Sequence, residues 1–374
     1  MKITKILIHS LKIPLPKPYP LSKLYGTLYN TEPVVVEVHT DEGLVGIGEC
    51  DPEPLFTSES THTVRVVLEK HLAPKLIGQE ALGISHIHDV MDGLIKGMPL
   101  AKSAIDMAIH DLIGKYYNMP VTTLLGGAKR KSLPIMGSLG INSPEDNAKQ
   151  ALQMLDDGYT SIMVKIGADI KTDIERTFAI REAVGSDIPL IADANQGWEA
   201  KESIYYAKAV KSCELVLFEQ PVKASDLDGF KQVKREIDIP LAADESVLTF
   251  NEAKRMVTEK LVDVLSIKVT KHGGIYPSKK IIDLADAFGV KCLFNSMIEE
   301  GITQAASLNL GLTTSNLFPH GHAYFSPLRL DADITNYSDN IKNGRIHAFD
   351  KPGLGVEIKR DVMERYIVST AEIV

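Results

Sequence analysis

The chain has 374 residues, 44% of them hydrophobic and 24% charged, an ordinary globular composition that can bury a large core without disulfides. The length favours a barrel-sized domain with a satellite over a single small domain. The net charge of −8, with 41 basic against 49 acidic residues and no dense Lys/Arg run, argues against a nucleic-acid or anionic-membrane surface.

In chain order, Ile3 to Ile13 reads as a strand, and Met1 to Ser10, interrupted by Lys5 and His9, lacks the form of a signal peptide. Val34 to His39 and Leu44 to Ile47 flank Asp41-Glu42-Gly43 and predict a hairpin. The pair Gly46 and Gly48 lacks the strand–turn–helix setting of a dinucleotide loop and reads as hairpin glycines. Ala101, Ala104, Ile105, Ala108, Ile109 and Leu112 recur at helical spacing and mark one apolar face. Strands followed by helices predict an α+β unit over residues 1–125.

After Leu124-Leu125-Gly126-Gly127 the pattern changes. Apolar runs at Leu133–Met136, Ser161–Lys165, Pro189–Asp193, Leu215–Glu219, Pro240–Asp244, Val264–Lys268 and Lys291–Asn295 alternate with helical stretches such as Asp169–Val184, Lys201–Ser212, Asn251–Glu259 and Ser278–Phe288. An eighth run near Leu317–Phe325 is less distinct. The alternation predicts an α/β fold, a TIM-like barrel over 126–330. Residues 331–374 do not continue it, and they are expected to pack on the first domain.

Three dispersed cysteines, Cys50, Cys213 and Cys292, argue for a reducing compartment, and a cytoplasmic location is expected. No apolar run approaches the ~18 residues of a membrane span.

Charged residues end five successive runs: Lys165, Asp193, Glu219, Asp244 and Lys268, spaced 28, 26, 25 and 24 residues apart. That places all five at the C-terminal ends of consecutive barrel strands, the face where barrel enzymes carry their active sites. Taken singly, each has a plain alternative as a solvated lysine or a helix N-cap. Together they put Lys165 and Lys268 on opposite sides of the mouth, with three acids between them. Three carboxylates so close need a cation, and an all-oxygen set suits Mg²⁺, with Mn²⁺ as a close substitute. The absence of His or Cys disfavours zinc. A substrate carboxylate at such a cation gains negative charge when its α-proton leaves, which the cation offsets. Either lysine could act as the base, with a pKa expected to be lowered by the cation and by the other lysine. Lys271-His272-Gly273-Gly274 could bind an anion or form a tight turn. His320 and His322 are weaker substrate candidates.

The segments Val164-Lys165-Ile166-Gly167, Asp193-Ala194-Asn195, Phe218-Glu219-Gln220-Pro221, Ala243-Asp244-Glu245-Ser246 and Ile267-Lys268-Val269-Thr270-Lys271-His272-Gly273-Gly274 resemble the enolase superfamily, in its muconate-lactonizing-enzyme subgroup (mandelate racemase/muconate lactonizing enzyme family). The resemblance spans the chain. It implies an N-terminal α+β capping domain completed by the C-terminal segment and a (β/α)7β barrel. It implies Asp193, Glu219 and Asp244 as Mg²⁺ ligands, Lys165 and Lys268 as acid/base catalysts, and cap loops near Leu21–Asn30 and Asp51–Ser58 closing over the substrate. Tyr25, Asn195, Asn295, Glu299 and Tyr324 are the expected substrate contacts. Two departures stand out. Met163 replaces the first lysine of the subgroup's Lys-x-Lys. The eighth-strand region reads His322-Ala323-Tyr324-Phe325 in place of Asp-x-Asp, with Asp331-Ala332-Asp333 too far along, which disfavours a dipeptide epimerase. The expected function is 1,1-proton transfer on a small carboxylate by a racemase or epimerase. The alternatives are a β-eliminating dehydratase (for example of a hydroxyproline-type acid), a muconate-type cycloisomerase, or a non-catalytic metal-binding barrel. Dimers or octamers are implied by resemblance alone.

Overall fold

The computed structural model describes residues 1–374. The first strands are β1 (Ile3–Leu11), β2 (Ile13–Pro20), β3 (Thr27–Thr31), β4 (Val34–Thr40) and β5 (Val45–Cys50). Residues on β4 alternate between two cores. Val34, Val36 and Val38 join a cluster with the cap helices, whereas Val35 joins the barrel cluster. A sheet covered on both faces explains why this strand is apolar throughout.

The helix Pro99–Tyr116 carries the predicted apolar face, and Ala101, Ala104, Ile105, Ala108, Ile109 and Leu112 are all buried. Its polar residues Asp106, His110 and Asp111 are buried as well, because the barrel covers the other side. Gly46 and Gly48 have a packing role that their sequence context does not show. A Cβ on Gly48 would lie 1.8 Å from the Ala104 carbonyl oxygen, and one on Gly46 would lie 2.1 Å from that of Ala108. Only glycine lets this helix sit so close to β5.

The barrel region begins with a short strand, β6 (Ser132–Pro134). It continues through β7 (Gly137–Leu139), β8 (Ile162–Lys165), β9 (Leu190–Asp193), β10 (Leu217–Glu219), β11 (Leu241–Ala243), β12 (Val264–Ile267) and β13 (Lys291–Phe294). Strands β7 to β13 form one seven-stranded parallel sheet in sequence order. The first barrel strand is therefore Gly137–Leu139, just beyond the predicted Leu133–Met136. Residues 317–323 close the ring without forming a continuous strand. Phe318 and Ala323 donate to the Cys292 and Phe294 carbonyls, and the Met136 amide donates to His322 O on the other side. Pro319, which lacks an N–H, and Gly321, at φ +97°, interrupt the eighth strand and account for its faint signal.

The C-terminal segment divides its contacts. A hairpin of β14 (Ile341–Lys342) and β15 (Arg345–His347) pairs with β6 beside the barrel, whereas β16 (Ile367–Ile373) returns to the cap antiparallel to β1, Leu354 N donates to Asp111, and Arg360 pairs with Glu37. The β14–β15 hairpin thus packs against β6, outside residues 1–125. No helix is long and apolar enough to cross a membrane.

Candidate active site

Side chains on a strand alternate in direction, so register decides which residues share the barrel interior. Lys165 pairs with Asp193, and Asp193 with Glu219. Glu219 pairs with Ala242, two residues before Asp244, and Ala242 pairs with Val264, four residues before Lys268. All five charged residues thus have the same parity and face inward. The same argument places Asn295 inside, since Val264 pairs with Lys291. Asn295 donates to Glu219 Oε1 at 2.7 Å and to Ser266 Oγ at 2.9 Å.

The strand ends open into a cavity of about 380 Å³ whose lining includes Lys165, Asp193, Asp244, Lys268 and Asn295. The cap supplies the opposite wall. Its Leu21–Gly26 turn is pinned to the barrel by Ser22 Oγ donating to Asn195 O (2.9 Å) and by Lys23 N donating to Gly167 O (3.1 Å). From this turn Tyr25 donates to Glu245 Oε1 (3.2 Å) and accepts from Gln196 Nε2 (3.0 Å). The short helix Pro54–Thr57 brings Phe56 over the Lys268 ammonium, 4.0 Å from its ring centroid. Both loops expected to cover the site therefore do so.

Lys165 Nζ lies 2.5 Å from Asp193 Oδ2. Lys268 Nζ lies 2.7 Å from Asp244 Oδ2, and Lys271 Nζ lies 2.7 Å from Asp244 Oδ1. No three acidic, His or Cys side chains close into a ready coordination cage, because the oxygens are turned toward these amines and Asn295. Burial acts to lower both Lys165 and Lys268, but Asp193 and Asp244 outweigh it and hold both amines above their ordinary value. Each amine is here the counter-ion of an acid. Burial, with Asp193 and Asp244 nearby, pushes the Glu219 carboxyl well up, and Glu219 Oε2 is buried without a hydrogen-bond partner. That orphaned oxygen, beside two acids in adjacent register, fits a hard divalent cation.

The substrate expectations divide. Tyr25, Asn195 and Asn295 line the cavity. Glu299 does not: it is buried and accepts from Ser296 Oγ (3.0 Å) and Gln304 Nε2 (3.1 Å). Tyr324 also fails to reach the cavity. Its hydroxyl donates to Ser307 O (3.1 Å) of the helix Gly301–Thr313, outside the barrel wall, because the irregular eighth strand turns it away. His322 is buried and pushed down to about 3 by that burial, and its Nδ1 accepts from the Phe294 amide. Neither His320 nor His322 lines the cavity. The amides after Gly273-Gly274 do bind an anion, but it is the protein's own: Asp106 of the cap accepts from Ile275 N and Tyr276 N. Residue reasoning missed Tyr19, Phe56 and Arg329, which line the cavity from elements with no distinguishing motif. Met163 also lines it, so the replaced lysine position does face the site.

Comparisons with known proteins agree with this geometry. The family model for the mandelate racemase / muconate lactonizing enzyme N-terminal domain matches residues 6–126, and that for the enolase C-terminal domain-like family matches residues 146–362. The chain is 34% identical to the N-succinyl-L-Arg/Lys racemase of Bacillus cereus over 98% of both sequences. The crystal structure of that racemase covers 100% of both chains with a TM-score of 0.96. A dipeptide epimerase from Enterococcus faecalis, crystallised with Mg and the dipeptide L-Leu-L-Tyr, is 32% identical, with a TM-score of 0.90 over 96% of this chain and 100% of that one. A cis-3-hydroxy-L-proline dehydratase of Roseibium aggregatum is 33% identical over 97% of this chain and 98% of its own length.

Proposed function

The chain belongs to the mandelate racemase / muconate lactonizing enzyme family of the enolase superfamily, and on that premise we propose that it is a Mg²⁺-dependent racemase or epimerase acting at the α-carbon of a small carboxylate. The observation that carries this reading is the placement of Lys165 and Lys268 on opposite walls of one cavity, with an arc of acids between them.

Asp193, Glu219 and Asp244 would hold the metal, and Mn²⁺ would substitute for it with the same oxygen donors. When bound, the metal supplies charge to offset that developing on the substrate carboxylate. With Asp193 and Asp244 engaged in holding the metal, the Lys165 and Lys268 amines paired with them would be available to the substrate. One lysine, as the free amine, takes the α-proton from one face. The other, as the ammonium, returns a proton to the opposite face, which inverts the centre. Asn295 fixes Glu219, and Lys271 offsets charge on Asp244 from beneath. Tyr25 and Phe56 cover the site and exclude water.

A second reading, β-elimination, is supported by the 33% identical dehydratase. It uses the same first step, with the leaving group protonated in place of the α-carbon. N-acylated amino acids and dipeptides, the substrates named for the relatives, head the screen. The buried, unpaired cysteines support the cytoplasmic reading. A homo-oligomer is supported by resemblance and is read by light scattering.

The test is α-proton exchange in D2O across a panel of chiral acids, followed by NMR. Racemisation gives deuterium at the α-carbon with loss of optical rotation, whereas elimination gives an unsaturated or keto product. A broad panel with neither overturns the catalytic reading in favour of a binding protein.

A further inference from the structure

We propose that Arg329 forms an anion subsite in this cavity and selects substrates that carry a second carboxylate, remote from the one at the reacting carbon. The inference rests on the α-proton-transfer reading of the same site.

Three basic side chains line the cavity. Lys165 and Lys268 are each ion-paired, to Asp193 and Asp244. Arg329 has no acid within ion-pair distance, and its one hydrogen bond runs from Nη2 to the Ser138 carbonyl oxygen at 2.6 Å. The rest of the guanidinium edge is free to donate. A half-buried cation without a counter-ion, in a cavity, is a site prepared for an anion from outside.

The group is also held in place. Its plane lies against Tyr19, 3.9 Å from the ring centroid, and against Phe325 at 4.8 Å. Tyr19 is fixed in turn by a 2.9 Å hydrogen bond between its hydroxyl and Ser138 Oγ. The backbone beneath Arg329 is the 3-10 turn Ser326–Arg329, stiffened by Pro327. Stacking and a carbonyl contact leave the planar fork oriented before any ligand arrives, which lowers the cost of binding.

Position then sets the ligand's shape. Ser138 lies on the first barrel strand and Phe325 follows the eighth, whereas the acids end the third to fifth strands across the mouth. A carboxylate at the acid arc and a second one at Arg329 would span the cavity. The other two basic groups of the lining are already paired with acids, which leaves Arg329 as the place for an anion. The second carboxylate could belong to an N-acyl group or to an amino-acid side chain, and the chemistry at Arg329 is the same.

The experiment is calorimetry on the Mg²⁺-loaded protein with N-succinyl-L-leucine, N-acetyl-L-glutamate and N-acetyl-L-leucine. In the native protein at least one diacid binds about tenfold or more tightly than N-acetyl-L-leucine. In Arg329→Gln that ratio falls to about one, and in Arg329→Lys, which keeps charge but loses the planar fork, it falls at least about threefold. The diacid that shows the preference identifies the acyl group or the side chain as the source. Because each ratio is taken within one protein, a loosened pocket does not mimic the effect, and the lysine variant serves if the glutamine variant does not fold. A native ratio near one for both diacids, or a ratio unchanged in both variants, overturns the proposal. Binding needs no turnover, so absence of deuterium exchange sinks the proton-transfer reading without deciding this one.

Discussion

Lys165 ends strand β8 and Lys268 directly follows β12, with three strands between them, and both line the same cavity. Each is held by an acid from a neighbouring strand, Asp193 for the first and Asp244 for the second. Amines on two sides of one cavity are what a reaction that inverts a carbon centre requires.

Replacing either lysine by alanine is expected to lower α-proton exchange by about 10²–10⁴-fold. The loss is expected to be stereospecific: Lys165→Ala abolishes exchange of one enantiomer and Lys268→Ala that of the other. Deuterium incorporation into each pure enantiomer, followed by NMR, reads this. Two variants with identical enantiomer profiles would rule out a two-base arrangement.

Glu219→Gln is expected to weaken Mg²⁺ binding at least about tenfold, because it removes a charged oxygen donor from the set. Titration calorimetry with Mg²⁺ checks it. Chelation should abolish exchange in the native protein, and added Mg²⁺ or Mn²⁺ should restore it. Unchanged metal affinity in the variant would remove Glu219 from the ligand set.

Asp106 joins the cap to the barrel: it accepts from Ile275 N and sits between His88 and His110. Asp106→Asn breaks a buried charge cluster and should cost about 3 kcal/mol, read as a lower urea midpoint. Its pH dependence has a definite sign. Burial acts to lower His110, but Asp106 outweighs it and leaves the imidazole above its ordinary 6.5. That contribution is fully present below pH 6.5 and is lost as pH rises through the raised value. Burial acts to raise Asp106, but the two imidazoles hold it below its ordinary 3.8, so its contribution is lost only as pH falls through that depressed value. The stability gap between native protein and Asp106→Asn should therefore shrink from pH 6 toward alkaline pH. A gap that widens would contradict the charged pair.

Gly48→Ala is expected to destabilise the cap by about 2–3 kcal/mol, since its new methyl would lie on the Ala104 carbonyl. Thermal unfolding checks this. An unchanged midpoint would mean that β5 and the helix separate freely.

The sequence by itself determined the strand-ending charges at Lys165, Asp193, Glu219, Asp244 and Lys268, their one-per-unit spacing, and the alternating βα order. These are readable because they depend on short-range periodicity: two residues per strand repeat and one charged residue per unit. Only the tertiary structure decided how the eighth strand closes around Pro319 and Gly321, turning Tyr324 outward and leaving Arg329 at the cavity. It also decided that Glu299 serves its own loop and that the amides after Gly274 receive Asp106. Each of these depends on partners far apart in the chain, such as Ser138 with Arg329 or Asp106 with Ile275, and no local pattern encodes such a meeting.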